Sequence, residues 1–379
     1  MSRETILSNA WLVLEDGVMK GSLVIRDGVI ADISEGHVAS GEDMEADYLV
    51  PGLVELHTDH LESHYSPRPG LRWNAMSALQ SHDAQIASSG ITTVFDCLRL
   101  GSYADGGFEM GEMRMMADTI ASARSENRLR ADHLIHLRCE VSAGDVLDHF
   151  VDFRTDNQVR LVSLMDHAPG QRQFQTMDQF TLYYKTQRGL SDQAFAEFVA
   201  KRQAASARYS DSNRKVLAEA CTARNITIAS HDDATLGHVA EAVELGVGLA
   251  EFPTSIEAAQ ASHRAGMSVL MGAPNVVRGG SHSGNIAATE LARLGVLDVL
   301  SSDYVPFSLI QAPFILAETV DGLDLAAAFR LVTATPAKTV GLDDRGSLTS
   351  GKRADLVRVR RQAGVPVVRS VWRQGERVA

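Results

Sequence analysis

Eight short apolar segments recur along the middle of the chain, and helix-like stretches lie between them. This alternation constrains the fold more than any other feature, because it is typical of βα units that build a parallel sheet. The eight predicted strands are LVELHTD, TTVFDCL, HLIHLRCE, RLVSLMDH, ITIASHD, GLAEFP, SVLMGAP and VLSSDY. They predict an α/β fold, a (β/α)8 barrel whose active site lies at the carboxyl ends of its strands. An open doubly wound sheet is the alternative, although no GxGxxG follows the first strand.

The two ends of the chain show a different pattern. Alternating apolar and polar residues with Asp-Gly turns predict hairpins near the N-terminus, and the C-terminal residues repeat the alternation. Neither set of strands is large enough to bury a face by itself. We therefore predict a small β-sandwich domain formed by residues 1–50 and 345–379, and a barrel domain formed by residues 51–344.

Composition excludes several classes of protein. The 36 Lys and Arg against 48 Asp and Glu give a net charge of −12, so nucleic-acid binding through a basic face is not expected. The three cysteines, Cys97, Cys139 and Cys221, are odd in number and unspaced, which argues against a disulfide framework. No apolar run of about 18 residues and no export signal is visible. These features predict a cytoplasmic protein without a membrane partner.

Metal-capable side chains end one predicted strand after another. They are His57, Asp59, Glu140, His167, His231 and Asp303. Residues two apart in a strand share a face, which pairs His57 with Asp59 and His231 with Asp233. A single histidine at a strand end is usually structural, but six such residues at one barrel face predict a site for one or two divalent ions of zinc, manganese, magnesium or iron. Asp303 is expected both to bind metal and to accept a proton from water.

Four segments resemble the amidohydrolase superfamily over essentially the whole chain: PGLVELHTD, SHDD, SSDY and TPAKTVGLDDRGSLTSGKRADLV. The resemblance implies a metal-dependent hydrolase with a distorted barrel and a small β domain built from both termini. Asp59 stands where the family has its second histidine, and Glu140 takes the place of a carbamylated lysine. The family takes its two single histidines from the fifth and sixth strands, whereas our strand count puts His167 and His231 on the fourth and fifth.

Longer segments resemble one subfamily: HTDHLESHYSPRPG, HLRCE, LVSLMDHAPGQRQF, ASHDDAT, MGAPNVVRGGSHSGN and LSSDY. The resemblance implies hydrolysis of a ribose-based 5-triphosphate to the 5-phosphate and pyrophosphate, within the carbon–phosphorus lyase pathway of phosphonate use. One alternative keeps the fold and cleaves a C–N bond, as a deacetylase, deaminase or dihydroorotase does. A second alternative is a non-enzymatic barrel whose site has decayed. The expected partner is a small phosphorylated sugar, and pairing into a homodimer is left open.

A triphosphate substrate requires several anion contacts. The predicted substrate-binding residues are Arg68, Arg138, Arg172, Lys185, Asp233, Arg278, Ser281, His282 and Asn285. Arginine suits phosphate because its fork donates two parallel hydrogen bonds, and the backbone of VVRGGSHSGN can present N–H groups to phosphate oxygens. The alternative for this segment is a glycine-rich turn followed by a helix cap. The insertion over residues 169–225 is interpreted equally as a lid or as a solvated helical face.

Overall fold

The computed structural model describes residues 4–102, 108–109, 111–169, 171–172, 191–280 and 286–379. Its strands are β1 Glu4–Val13, β2 Val18–Arg26, β3 Val29–Glu35, β4 Glu42–Asp43, β5 Tyr48–Pro51, β6 Leu53–Thr58, β7 Ile91–Leu100, β8 Asp132–Glu140, β9 Val159–Met165, β10 Thr227–His231, β11 Leu249–Glu251, β12 Ser268–Gly272, β13 Val299–Ser301, β14 Leu356–Gln362, β15 Val365–Arg373 and β16 Glu376–Arg377. Its helices are α1 His60–Tyr65, α2 Ala75–Ser88, α3 Glu112–Ser125, α4 Val146–Val151, α5 Asp192–Thr222, α6 Leu236–Glu244, α7 Ile256–Arg264, α8 Ala273–Arg278, α9 Ala288–Arg293, α10 Ser308–Thr319, α11 Leu325–Arg330 and α12 Ala334–Thr339. None of the helices in these ranges is long and apolar enough to cross a membrane.

The strands form two sheets. The first has the order β16-β15-β14-β5-β1-β2-β3, with β4 paired to β1. The second runs from β13 to β6 in unbroken chain order, and a parallel bridge between Thr58 and Asp303 joins its first and last strands. Each of the eight predicted strands is present. The predicted fold class, a (β/α)8 barrel with a small β domain from both termini, is therefore confirmed.

The chain divides into two compact units. The first comprises Met1–Asp96, Thr119–Leu134 and Met271–Ala379, and the second comprises Cys97–Asp118 and Ile135–Leu270. The predicted domains group the strands by sheet, and their boundaries differ from the boundaries of these two units. The division into residues 1–50 with 345–379, against residues 51–344, stays a prediction.

In the first unit, strands from the two ends of the chain interleave in the small sheet. β5 is parallel to β1 and antiparallel to β14, so neither end of the chain completes the sheet alone. Leu7, Leu12, Leu49 and Leu356 are fully buried in the core of this sheet. Burying a leucine side chain contributes about 1.5–3 kcal/mol, which favours joining the two sets of strands.

The βα pattern of the sequence appears in the structure as parallel strand ladders and as helices that begin with a side-chain cap. In the first unit, β6 pairs with β7 in parallel, and all six residues of β6 are buried. In the second unit, β8 to β12 form parallel ladders. The Thr235 hydroxyl accepts a hydrogen bond from the N–H of His238 at the start of α6, and the Ser255 hydroxyl accepts one from Ala258 at the start of α7. Such caps begin a helix directly after a strand ends, which leaves the strand end available for a site.

Candidate metal centre

In the first unit, a backbone interlock gathers three of the predicted ligands. The N–H of Asp303 donates to the carbonyl of His57 over 3.1 Å, and the N–H of Asp59 donates to the carbonyl of Asp303 over 3.3 Å. Asp303 has a φ of +52°, a left-handed conformation that costs energy for a residue with a side chain. One ligand atom from each of His57, Asp59 and Asp303 lies within 4.8 Å of the other two. We call these residues the first ligand group.

A buried carboxylate that the sequence analysis missed supports this group. Glu55 accepts hydrogen bonds from the N–H of His57 at 2.7 Å and from the N–H of Ser302 at 2.5 Å. Burial raises the pKa of Glu55 to about 7, although these hydrogen bonds oppose the shift. The available signal was a charged residue in the apolar segment LVELHTD, two positions before His57 and therefore on the same face. Through these two hydrogen bonds, Glu55 links the backbone N–H of His57 to that of Ser302, the residue before Asp303.

In the second unit, His167, His231 and Asp232 form a second ligand group. Their ligand atoms lie within 4.8 Å of one another, and the two imidazole rings are 5.6 Å apart. Asp232 has a φ of +57°, so the chain turns immediately after β10 ends at His231. This turn places Asp232 beside His231, with Nε2 of His231 at 3.4 Å from Oδ2 of Asp232.

Each histidine of the second ligand group donates its Nδ1 proton to a buried carboxylate. Nδ1 of His167 is 2.7 Å from Oε2 of Glu140, and the other carboxylate oxygen, Oε1, accepts from the N–H of His167 and from the Ser142 hydroxyl. Burial raises the pKa of Glu140, but the charge and hydrogen bond of His167 outweigh it and lower the pKa overall. Nδ1 of His231 is 3.1 Å from Oε2 of Glu251, at the end of β11. The segment GLAEFP was predicted as a strand, but Glu251 was not singled out.

A divalent cation fits the second ligand group. Because Nδ1 of His231 donates to Glu251, the neutral ring carries a lone pair on Nε2, and this nitrogen lies 3.4 Å from Oδ2 of Asp232. That oxygen is buried and makes no hydrogen bond within the described residues. Two electron-pair donors 3.4 Å apart, with no hydrogen bond to Oδ2 from the described part of the chain, are placed so that both can bind one cation. The donor set of imidazole nitrogen and carboxylate oxygen is the one that zinc, manganese and iron prefer.

A third buried cluster has a different character. His82 and His133 both contact Asp96, at 2.7 Å each, and Nε2 of His133 lies 3.3 Å from Asp83. Burial lowers the pKa of His133, but attraction to Asp96 and hydrogen bonds to both carboxylates raise it to about 9. Both ring nitrogens of His133 face carboxylate oxygens and donate to them, which leaves this ring no lone pair for a metal. We therefore interpret this cluster as an ion-pair network and not as a ligand group.

Comparisons with known proteins agree with this architecture. The family model described as "Amidohydrolase family" matches residues 84–379. The chain belongs to the amidohydrolase family. It is 46% identical over 376 residues to the alpha-D-ribose 1-methylphosphonate 5-triphosphate diphosphatase of Escherichia coli strain K12, covering 98% of this chain and 100% of that one.

Solved structures of other amidohydrolase-fold enzymes superpose over nearly the whole chain. The A. niger ochratoxinase is 14% identical, with a TM-score of 0.64, over 100% of this chain and 96% of that one. The N-acetylglucosamine-6-phosphate deacetylase of Thermotoga maritima is 15% identical, with a TM-score of 0.63, over 99% of each chain. At these identities the likeness supports the fold alone.

The predicted ligands of this amidohydrolase lie at the ends of the strands that the sequence analysis named. Glu140 ends the third barrel strand, His167 lies two residues beyond the fourth, and His231 ends the fifth. The sixth strand, where the wider family was expected to supply a histidine, ends instead in Glu251. The placement of His231 on the fifth strand is therefore confirmed, whereas His167 lies in the loop that follows the fourth strand.

Two of the predicted substrate-binding residues bind each other. Arg172 and Asp233 form an ion pair, and Arg172 also contacts Glu241. Arg172 is 4% exposed and Asp233 is 1% exposed. Strand alternation had placed Asp233 on the face of His231, but the left-handed turn that follows the strand directs Asp233 to Arg172 instead.

The remaining predicted substrate-binding residues differ in exposure. Arg68 and Arg278 are exposed, and Arg278 is the last residue of α8. Arg138 is buried, and its Nε donates to the sulfur of Met165 over 3.4 Å. Lys185, Ser281, His282 and Asn285 lie outside the described residues.

Proposed function

We propose that this chain hydrolyses α-D-ribose 1-methylphosphonate 5-triphosphate to the 5-phosphate and pyrophosphate, in phosphonate catabolism. It would thus be a hydrolase acting on phosphorus-containing acid anhydrides. The observation that carries the proposal is the 46% identity along 98% of the chain to the E. coli diphosphatase. The two ligand groups support it, since triphosphate hydrolysis by this family requires a place for divalent metal.

The proposed cofactors are one or two divalent ions. The second ligand group, with two imidazoles and one carboxylate, suits zinc, iron or manganese, whereas the first, with one imidazole and two carboxylates, suits manganese or magnesium. Bound ions would make water more acidic and neutralise charge on the phosphate oxygens. We propose that His57, Asp59, Glu140, His167, His231 and Asp303 serve these ions, as the sequence predicts.

We propose that Asp303 accepts the proton of the attacking water at a carboxylate oxygen. The water oxygen then bonds to the α-phosphorus, the bond to the β-phosphate breaks, and pyrophosphate leaves. Asp303 is suited to this role because its backbone is held on both sides by hydrogen bonds to His57 and Asp59, while its side chain stays half-buried. Correct placement of a proton acceptor contributes about 10²- to 10⁴-fold to such a step.

We propose that arginines neutralise the departing pyrophosphate. Arg68 and Arg278 are exposed, and Arg138 lies on the strand that ends in Glu140. The same role for Lys185, Ser281, His282 and Asn285 stays a prediction. A role in substrate binding for Arg172 and Asp233 would require them to loosen their mutual ion pair.

The proposed partner is a small phosphorylated sugar, in the cytoplasm and without nucleic acid. The net charge of −12 supports the absence of a nucleic-acid partner. All three cysteines lie in the described part of the chain, are buried and form no disulfide, which supports a reducing compartment.

The decisive experiment is hydrolysis of the 5-triphosphate in ¹⁸O-labelled water, followed by ³¹P NMR. Attack at the α-phosphorus puts the label into the sugar 5-phosphate and leaves pyrophosphate unlabelled. The Asp303→Asn variant serves as the matched control. Absence of pyrophosphate, together with turnover of N-acylated amines, would overturn the proposal in favour of a C–N hydrolase.

A further inference from the structure

A chain of buried hydrogen bonds converges on Glu251 in the second unit. The Ser163 hydroxyl donates to Oε2 of Glu251 at 2.6 Å, and Nδ1 of His231 donates to the same oxygen at 3.1 Å. Behind Ser163, His136 contacts its hydroxyl through Nε2, and Nδ1 of His136 lies 3.5 Å from the Cys97 thiol. None of these five residues is more than 5% exposed.

The direction of these hydrogen bonds follows from the groups involved. The carboxylate of Glu251 can only accept, so the Ser163 hydroxyl donates its single hydrogen bond to it. The oxygen of Ser163 therefore accepts a hydrogen bond from Nε2 of His136. Nδ1 of His136 is then an acceptor and faces the Cys97 thiol. Every donor therefore points toward Glu251, an arrangement that offsets the cost of burying an ionised carboxylate.

Glu251 decides which nitrogen of His231 carries the proton. A neutral imidazole has one donor nitrogen and one acceptor nitrogen, and a partner at one nitrogen selects the state of the other. With its proton on Nδ1 toward Glu251, His231 keeps its lone pair on Nε2, the nitrogen that lies 3.4 Å from Oδ2 of Asp232.

We propose that Glu251, held by Ser163 and His136, is a positioning residue that fixes His231 in its metal-binding tautomer and thereby sets the metal affinity of the second ligand group. The proposal rests on the metal dependence in the proposed function. It assigns a role to Glu251, Ser163 and His136, which the ligand prediction did not contain.

The neighbouring pair of Glu140 and His167 repeats the arrangement. Glu140 also accepts the Nδ1 proton of its histidine, and it too receives a serine hydroxyl, from Ser142. Two histidines of one group oriented in the same way by a carboxylate and a serine indicate an arrangement built for Nε2 ligation. Partners of this kind typically change metal affinity by about 10- to 100-fold when they are replaced.

The test uses the full-length variants Glu251→Gln and Ser163→Ala. Zn²⁺ affinity is measured by competition with a chromophoric chelator, and the tautomer of His231 is measured by ¹⁵N-histidine NMR of the metal-free protein. Glu251→Gln should weaken Zn²⁺ binding by about 10- to 100-fold and should mix the tautomers of His231, because an amide can donate as well as accept. Ser163→Ala should weaken binding by less, since the carboxylate remains.

Asp83→Asn is the matched control, because Asp83 is also a buried carboxylate in contact with a histidine but belongs to neither ligand group. It should leave Zn²⁺ affinity within about two-fold of wild type, well short of the effect expected at a ligand's partner. Wild-type Zn²⁺ affinity or an unchanged His231 tautomer in Glu251→Gln overturns the proposal. If that variant does not fold, unchanged affinity in Ser163→Ala overturns it. Failure to release pyrophosphate would refute the proposed function alone, because neither readout requires turnover.

Discussion

The ion-pair network of His133 should make stability fall as the pH rises above neutrality. The pKa of this buried ring is raised from 6.5 to about 9. This rise corresponds to roughly 3 kcal/mol of preference for the protonated ring in the folded state. Because the folded-state pKa is the higher one, this contribution is fully present below pH 6.5 and is lost as the pH rises through 9.

His133→Gln removes the titrating group and keeps hydrogen-bonding capacity. The difference in free energy of unfolding between wild type and this variant should fall from its pH 6 value by about 3 kcal/mol when the pH reaches 9. Urea titrations at pH 6, 7, 8 and 9 measure the difference, in which the histidines outside this network cancel. ¹⁵N-histidine NMR of the wild type gives the pKa of His133 directly.

A neighbouring variant provides the control. Asp83→Asn removes one of the two carboxylates that contact His133, so the decline in stability should begin at a lower pH. The stabilising contribution of Asp96 has the opposite pH dependence. Burial raises the pKa of Asp96, but the attraction of His133 outweighs it and lowers that pKa, so the contribution is lost only in acid. A difference between wild type and His133→Gln that stays flat from pH 6 to pH 9 would refute the assignment of a charged His133.

Three further predictions concern the site and its surroundings. Asp303→Asn, with metal supplied in excess, should lower turnover by about 10²- to 10⁴-fold with nearly unchanged metal content, because the amide keeps one oxygen donor; pyrophosphate release and elemental analysis measure the two effects. Chelation should abolish pyrophosphate release, and zinc or manganese should restore it; activity that survives complete metal removal would contradict the metal role. Arg172→Ala leaves Asp233 buried without its partner and should cost about 3–5 kcal/mol in urea unfolding, whereas Arg278→Ala at an exposed position should raise KM and leave stability unchanged.

Strand ends were accessible to sequence analysis because they depend on local periodicity. Apolar segments of strand length located all eight barrel strands, and the metal-capable residues that end them include His57, His167 and His231. Backbone conformation after a strand was not accessible. Strand alternation pairs His231 with Asp233, but the left-handed φ of Asp232 places Asp232 beside His231 instead. The sequence SHDD does not distinguish the two aspartates.

The sequence by itself determined the family, the order of strands and helices, and the residue types able to hold a divalent ion, because these depend on periodicity and side-chain chemistry. Only the tertiary structure decided which carboxylate serves which partner. Glu251 reaches His231 across 20 positions of sequence, and Asp233 pairs with Arg172 across 61. A buried charge is tolerated only where folding brings a partner into contact with it, and the spacing of residues in the sequence does not show which residues will be in contact.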